Sequence, residues 1–250
     1  MTTSQKLNSE IRPDTTVGEL VVHYPQLRQL LETLKIDYCC GGSKPLIDAV
    51  QAAGQEWPAV LSALSEALKT ERQDANRDWN NASLGDLIDH IIVKHHNFTK
   101  EQLLRLDGLL ARVQKAHGAH HADMLSSLRR LYDALRFELD PHLLKEEQIL
   151  FPAIKGIDDF MSGTGERPVI HCGSIANPIQ QMEYEHNSAG TTLADMRQTT
   201  DNYRLPSDAC QTFAALYDGL KALEADLHEH IHLENNILFP KSVELEEKML

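Results

Sequence analysis

Two stretches of this chain repeat one pattern, and any fold must accommodate both. His142-Leu143-Leu144-Lys145-Glu146 runs on to Ile149-Leu150-Phe151-Pro152, and His230-Ile231-His232-Leu233-Glu234 runs on to Ile237-Leu238-Phe239-Pro240. Shifted by 88 residues (142 to 230), they agree at the His, at the Glu four later and at the closing Ile-Leu-Phe-Pro. A His and a Glu at i and i+4 lie one turn apart on the same helix face, so imidazole and carboxylate can reach a common point such as a metal. Pro152 and Pro240 predict where each helix stops, because proline cannot continue the hydrogen-bond ladder.

The repeat extends backwards. Val93-Lys94-His95-His96-Asn97 is answered by Glu183-Tyr184-Glu185-His186-Asn187, shifted by 90 (96 to 186). Each half then reads His, a gap of 46 residues (96 to 142) or 44 (186 to 230), and His-x-x-x-Glu. At about 1.5 Å per residue this spacing suits a helical hairpin that turns after roughly 20 residues and returns level with its first His. Turn signals stand where the hairpins need them, at Ala116-His117-Gly118-Ala119-His120 and at Asn202-Tyr203-Arg204-Leu205-Pro206-Ser207-Asp208. Two hairpins make an up-down four-helix bundle, with His96, His142, Glu146, His186, His230 and Glu234 facing inward as a dinuclear metal site.

The predicted class is all-α throughout. Residues 1–70 read as a small helical module: Val17, Leu20, Val21, Tyr24, Leu27, Leu30, Leu31 and Leu34 are apolar at helical spacing with an interruption near Pro25, and Leu46, Ala49, Val50, Val60, Leu61, Leu64 and Leu68 carry two further helices. Ser43 is the expected N-cap of the first of these, with Pro45 in its first turn. Residues 71–82 are polar and read as a linker, and residues 83–250 form the bundle, with 160–178 as the crossover between hairpins. The charged last residues are expected to add a short turn.

Neutral imidazole and carboxylate suit iron, manganese or zinc, and the lack of Cys in the cluster argues against a structural zinc site. Two Glu shared among four His give each metal two imidazoles and make both carboxylates bridges, which leaves positions open for a small diatomic ligand or peroxide. Iron is the first choice among these metals, and bundle cores commonly house such pairs. Glu147 and Asn235 point about 100° away from the ligand face and read as outer-shell or surface residues. His95, His120, His121, His171, His228 and His232 have no partner in the repeat and read as solvent or outer-shell residues; Glu185, beside His186, reads as part of a solvated face, with the orienting of a neighbouring ligand as the alternative. His117, 21 residues after His96 (96 to 117), would stand about 30 Å away and belongs to the turn.

A net charge of −13 argues against nucleic acid or an anionic membrane surface as partner. No apolar run long enough to span a membrane and no export signal is visible, so the expected compartment is the cytoplasm. Four cysteines are too few for a disulfide framework and are expected as reduced thiols. The adjacent pair Cys39-Cys40, followed by Gly41-Gly42 and a helix start, would sit on an exposed turn near a positive dipole end, which favours reactive redox or transfer thiols. The competing reading packs one cysteine inside while the glycines serve the turn.

Asp37-Tyr38-Cys39-Cys40-Gly41-Gly42, Leu87 to His96, Lys145 to Pro152 and His232 to Pro240 together resemble the repair of iron centres family, over nearly the whole chain. The resemblance implies a cytoplasmic bacterial di-iron protein, induced by nitric oxide or oxidative stress, that restores damaged iron-sulfur clusters. Carried over by motif, the family's iron ligands fall on the six residues reached above, and its cysteine pair on Cys39 and Cys40. The implied partners are nitric oxide or oxygen as small ligand and proteins bearing damaged clusters, with a homodimer among the assemblies open to it. Two mechanisms fit, donation of iron and reduction of nitric oxide to nitrous oxide at two ferrous ions. A hemerythrin-type reversible oxygen or nitric oxide binder is the alternative, although a pure carrier has no need of the cysteine module.

Overall fold

The computed structural model describes residues 11–69, 79–171 and 173–249, and all the regular elements among them are helical. The expected linker falls largely outside the described residues. The chain divides into two compact units, one of residues 1–83 with 231–241, the other of residues 84–230 with 242–250.

In the first unit, α1 (Val17–His23) opens with a capping box: the Thr16 hydroxyl accepts from the Glu19 backbone N–H, and the Glu19 carboxylate accepts from the Thr16 N–H. Pro25 then starts a 3₁₀ turn (Pro25–Leu27) that leads into α2 (Arg28–Thr33), the interruption expected from its ring. α3 (Leu46–Ala52) and α4 (Trp57–Lys69) follow. The N-cap of α3 is Pro45 itself, with no side-chain cap bond, and not Ser43. Pro45 is extended and bridges Thr16, so the pairing of the two helix entries sets the start of α3. Val17, Leu20, Leu27, Leu31, Tyr38, Leu46, Val60 and Leu64 form the core of this unit together with Ile231.

The second unit holds the bundle. α5 (Leu84–His90) passes through a π-helical turn (Ile91–His96) into α6 (Asn97–Lys145), which a second π turn (Glu146–Leu150) joins to α7 (Phe151–Met161). α8 (Ala176–Thr199) is unbroken, and α9 (Gln211–Leu233) passes through a third π turn (Glu234–Leu238) into α10 (Phe239–Met249). Leu103, Leu106, Leu110, Leu128, Tyr132, Leu193, Phe213, Leu220 and Leu227 fill the interior at helical spacing.

The first hairpin turns elsewhere than expected. Residues 116–120 are helical, and the break falls on His121 alone (φ −130°, ψ 31°). The strands of helix on either side still run back along each other, since Arg129 pairs with Asp107 and the Tyr132 hydroxyl donates to the Leu103 carbonyl. Gly118 is accommodated in the helix because one glycine costs only about 1 kcal/mol there.

Pro152 and Pro240 do not end their helices either. Each is the second residue of the segment that follows a π turn, and α7 and α10 run on for 11 residues each. A π turn bonds i to i+5 and is wider than an α turn, which relieves the clash of the proline ring with the carbonyl four residues before it. The acidic tail is therefore helix α10 and not a short turn. Its buried Glu246 accepts from the Ser174 hydroxyl and the Ile175 N–H, closing the crossover ahead of α8.

Candidate metal centre

The three π turns coincide with the repeated motifs: His96 ends the first, Glu146 starts the second and Glu234 starts the third. π turns inside long helices recur at functional sites because the extra residue re-aims side chains at the cost of weaker backbone bonding. All six expected ligand residues are buried, and Glu146 and Glu234 are 0% exposed.

They fall into two groups. His96, His230, Glu146 and Glu234 form one, and His142, His186, Glu146 and Glu234 the other, with the ligand atoms of each within 4.8 Å of one another. Five of the six belong to the second unit, and Glu234 follows His230 by one turn along the same continuous helix. The imidazoles meet in pairs: His96 Nε2 stands 3.2 Å from His230 Nε2, and His142 Nε2 3.1 Å from His186 Nε2. Two ligands each about 2.1 Å from one metal, at angles between a right angle and tetrahedral, stand about 3.0 to 3.4 Å apart, which matches both pairs.

Glu146 shows that the residues fit a cation. Neither of its buried oxygens has a hydrogen-bond partner. Oε2 lies 3.5 Å from His96 Nε2, and Oε1 lies 3.2 Å from His142 Nε2 and 3.8 Å from His186 Nε2. A buried carboxylate without hydrogen bonds costs several kcal/mol unless a positive charge compensates it.

The protonation pattern points the same way. His96 Nδ1 donates to Glu147 Oε1 at 2.8 Å, and His142 Nδ1 donates to Glu185 Oε2 at 2.8 Å. With the proton held on Nδ1, each Nε2 keeps its lone pair for the interior, as metal-ligating histidines do when a carboxylate orients them. Burial alone would raise the Glu185 carboxyl, but Lys145, Gln181 and His142 hold it down to about 2. Against the same effect of burial, Lys100 and His96 hold Glu147 below the ordinary carboxylate range.

Of the two readings of Glu185, the structure takes the orienting one and not the solvated face: it pairs with His142 across the helix pair. His95 and His232, expected near solvent or in an outer shell, are both buried. His95 donates from Nδ1 to Asp226 Oδ1 at 3.0 Å and stacks on the His230 ring, centroids 5.7 Å apart and planes 10° apart. Asp226 went unnoticed in the sequence, although it precedes His230 by four residues on the same face, where Glu138 precedes His142 in the other copy. His120 and His171 are exposed as expected.

The cysteine pair departs from the exposed-turn reading. Cys39 is buried, and the adjacent Cys40 thiol and burial push its own thiol well above the ordinary range; Cys40 is half-buried. Within the first unit, Asn236 donates to the Tyr38 carbonyl at 3.2 Å and to His232 Nδ1 at 3.1 Å, and Asn235 donates to the Cys39 carbonyl at 3.4 Å. Close approach explains two glycines: a Cβ at Gly18 or Gly42 would lie 2.3 or 2.1 Å from Asn236 Oδ1. Cys39, Cys40 and Cys210 are free thiols.

A helical bundle with paired imidazoles around shared buried carboxylates defines a metal-binding protein of hemerythrin type. The model of the hemerythrin HHE cation binding domain matches residues 87–242, and a domain of unknown function (DUF542) matches residues 13–68. The iron-sulfur cluster repair protein YtfE of Enterobacter sp. (strain 638) is 38% identical over 230 residues, covering 92% of this chain and 97% of that one. The proteins of the same name from Escherichia coli O81 (strain ED1a) and Escherichia fergusonii are 38% and 37% identical over the same shares. The chain belongs to the repair of iron centres family of hemerythrin-like proteins.

Proposed function

We propose that the chain is a bacterial cytoplasmic di-iron protein that restores iron-sulfur clusters damaged by nitric oxide or oxidative stress. His96 and His230 would hold one iron and His142 and His186 the other, with Glu146 and Glu234 as the carboxylates common to both. The observation that carries this reading is Glu146, whose two unbonded, buried oxygens face different histidine pairs. It is supported by the family, whose relatives carry cluster repair in their names.

When bound, the ions supply positions for nitric oxide or oxygen and the electrons to reduce them, or themselves serve as cargo for an apo-cluster. The chain's own residues prepare the place. Glu147 and Glu185 fix the tautomer and orientation of two ligands, His95 and Asp226 brace His230, and the apolar core below excludes water. No described helix is long and apolar enough to cross a membrane, so damaged clusters are expected to be met on other proteins in solution. Cys39 and Cys40 stand as redox or transfer thiols.

Metal content together with Mössbauer spectroscopy on protein grown with enriched iron tests the reading. Two irons per chain in a coupled, bridged pair are expected; zinc or a single mononuclear iron overturns it. Nitric oxide added to the diferrous protein then separates nitrous oxide formation with iron retained from iron transfer to an apo-cluster acceptor. A stable oxygen adduct indifferent to replacement of both cysteines would instead establish the carrier.

A further inference from the structure

A second chemical cluster lies at the opposite end of the first hairpin, where the repeat has no counterpart. Cys210 is the exposed residue immediately before α9, and its carbonyl accepts the first helical bond, from Ala214. His117, buried, presents Nε2 to the Cys210 sulfur at 3.2 Å. Its other face, Nδ1, lies 3.8 Å from Asp208 Oδ2, while Asp208 Oδ1 accepts from His121 Nε2 at 2.9 Å. The imidazole therefore stands between thiol and carboxylate, with Phe213 5.2 Å from its ring centroid. The three groups do not converge on one point as the metal residues do. Nucleophile, proton partner and orienting carboxylate in series form the arrangement that activates a thiol.

We propose that Cys210, with His117 as proton partner and Asp208 behind it, is a reactive thiol that takes small electrophiles, hydroperoxides in particular. The thiolate sulfur attacks the terminal oxygen of the hydroperoxide. An S–O bond forms, the O–O bond breaks, and the leaving alkoxide takes the proton from the His117 imidazolium. Sulfur is oxidised by two electrons to a sulfenic acid, and the hydroperoxide is reduced to the alcohol. The position suits the task, since Cys210 is exposed and its partner His117 lies about 30 Å along the helix from His96.

The hydrogen bond from His117, then the backbone N–H of Phe213, hold the Cys210 thiol down to about 7, the reverse of Cys39. At pH 7 that makes about half of it thiolate against roughly 3% for an ordinary thiol. A less basic thiolate is a weaker nucleophile by roughly fivefold, so the net gain is only about threefold. The position of the pH profile therefore discriminates better than the rate.

The test is iodoacetamide labelling of the iron-loaded full chain between pH 5.5 and 9, resolved by peptide mass spectrometry. A Cys210 midpoint near 7 that moves up by a unit or more in His117→Gln, with iron content unchanged, is expected. A midpoint between 8 and 9 in the wild-type chain overturns the proposal, and so does a midpoint that His117→Gln leaves in place while the variant melts like the parent. If His117→Gln fails to fold, the wild-type midpoint and Asp208→Asn decide. One equivalent of cumene hydroperoxide with dimedone present should label Cys210 first; no label there overturns the hydroperoxide assignment. These readouts do not depend on whether the metal centre repairs clusters.

Discussion

The two hairpins of the bundle derive from one repeat but are not copies in structure. Their returning helices agree closely: each places His, then Glu at the start of a π turn, then Pro in second place of the helix that continues, at 142, 146 and 152 and again at 230, 234 and 240. Their outgoing helices differ, since a π turn ends on His96 while α8 runs through His186 as an ordinary α-helix. The connections differ as well. The first turns on His121 alone, and the second takes eleven residues (200 to 210) with Asp201, Asn202 and Tyr203 at positive φ. The residues after Glu146 and Glu234 diverge most in role: Glu147 orients His96, whereas Asn235 and Asn236 hold the backbone of Tyr38 and Cys39. One copy serves the buried histidines and the other the cysteine loop.

The comparison breaks first at what the copies share. Glu146→Leu with Glu234→Leu removes both acidic ligands, and loss of most iron is expected by elemental analysis. Retention of two irons per chain would refute the site. The apo form of this variant is expected to be as stable as the apo wild type or about 1 to 4 kcal/mol more so, because the buried Glu146 carboxyl, whose oxygens have no hydrogen-bond partner, gives way to an apolar side chain; urea midpoints measured after chelation check this.

What the copies do not share comes next. Glu147→Ala is expected to weaken the His96 and His230 position, and Glu185→Ala the His142 and His186 position, each by about 10- to 100-fold in metal affinity. Competition titration against a chelator should show one metal leaving early in each variant while its neighbour stays. Equal weakening of both positions by either variant would mean that the two centres cannot be told apart.

Asn236→Leu addresses the cysteine side of the contrast. It leaves the Tyr38 carbonyl without its side-chain donor and crowds Gly18 and Gly42, so a loss of about 1 to 3 kcal/mol is expected. Faster labelling of Cys39 with the iron content kept would sharpen the division of roles; a variant that lost its iron instead would erase it.

The smallest effect belongs to the ion pairs that cross the first hairpin. Arg129, first by hydrogen bond and then by charge, holds the Asp107 carboxyl below its ordinary value. A carboxyl depressed in the folded state stabilises above its unfolded pKa, about 3.9, and the contribution is lost as pH falls through the folded value. Asp107→Asn should therefore cost less than about 1 kcal/mol near neutral pH, and the urea midpoints of variant and parent should converge as the pH is taken below about 4.

Much of this was legible in the chain. The helical class, the two halves and the six buried residues follow from His and Glu recurring at i and i+4, because helix periodicity converts that spacing directly into a shared face. The prolines misled, since Pro152 and Pro240 read as stops to anyone counting α-helical bonds, and only the adjacent π turns let the helices continue. Gly118 misled in the same direction: a local turn signal at 116–120 was overruled by packing of Leu109, Leu110 and Val113 against Leu125 and Leu128. Glu185 was undervalued because its partner, His142, is 43 residues away (142 to 185).

Local patterning thus settled that the chain is helical and that the six repeated His and Glu face inward, because both are matters of neighbours within a turn or two. Tertiary packing settled the rest: which carboxylate orients which imidazole, why a side chain at Gly18 or Gly42 would meet Asn236, why the Cys210 thiol is held down. Each of these depends on an atom far along the chain reaching within about 3 Å, and no spacing along one helix specifies that meeting.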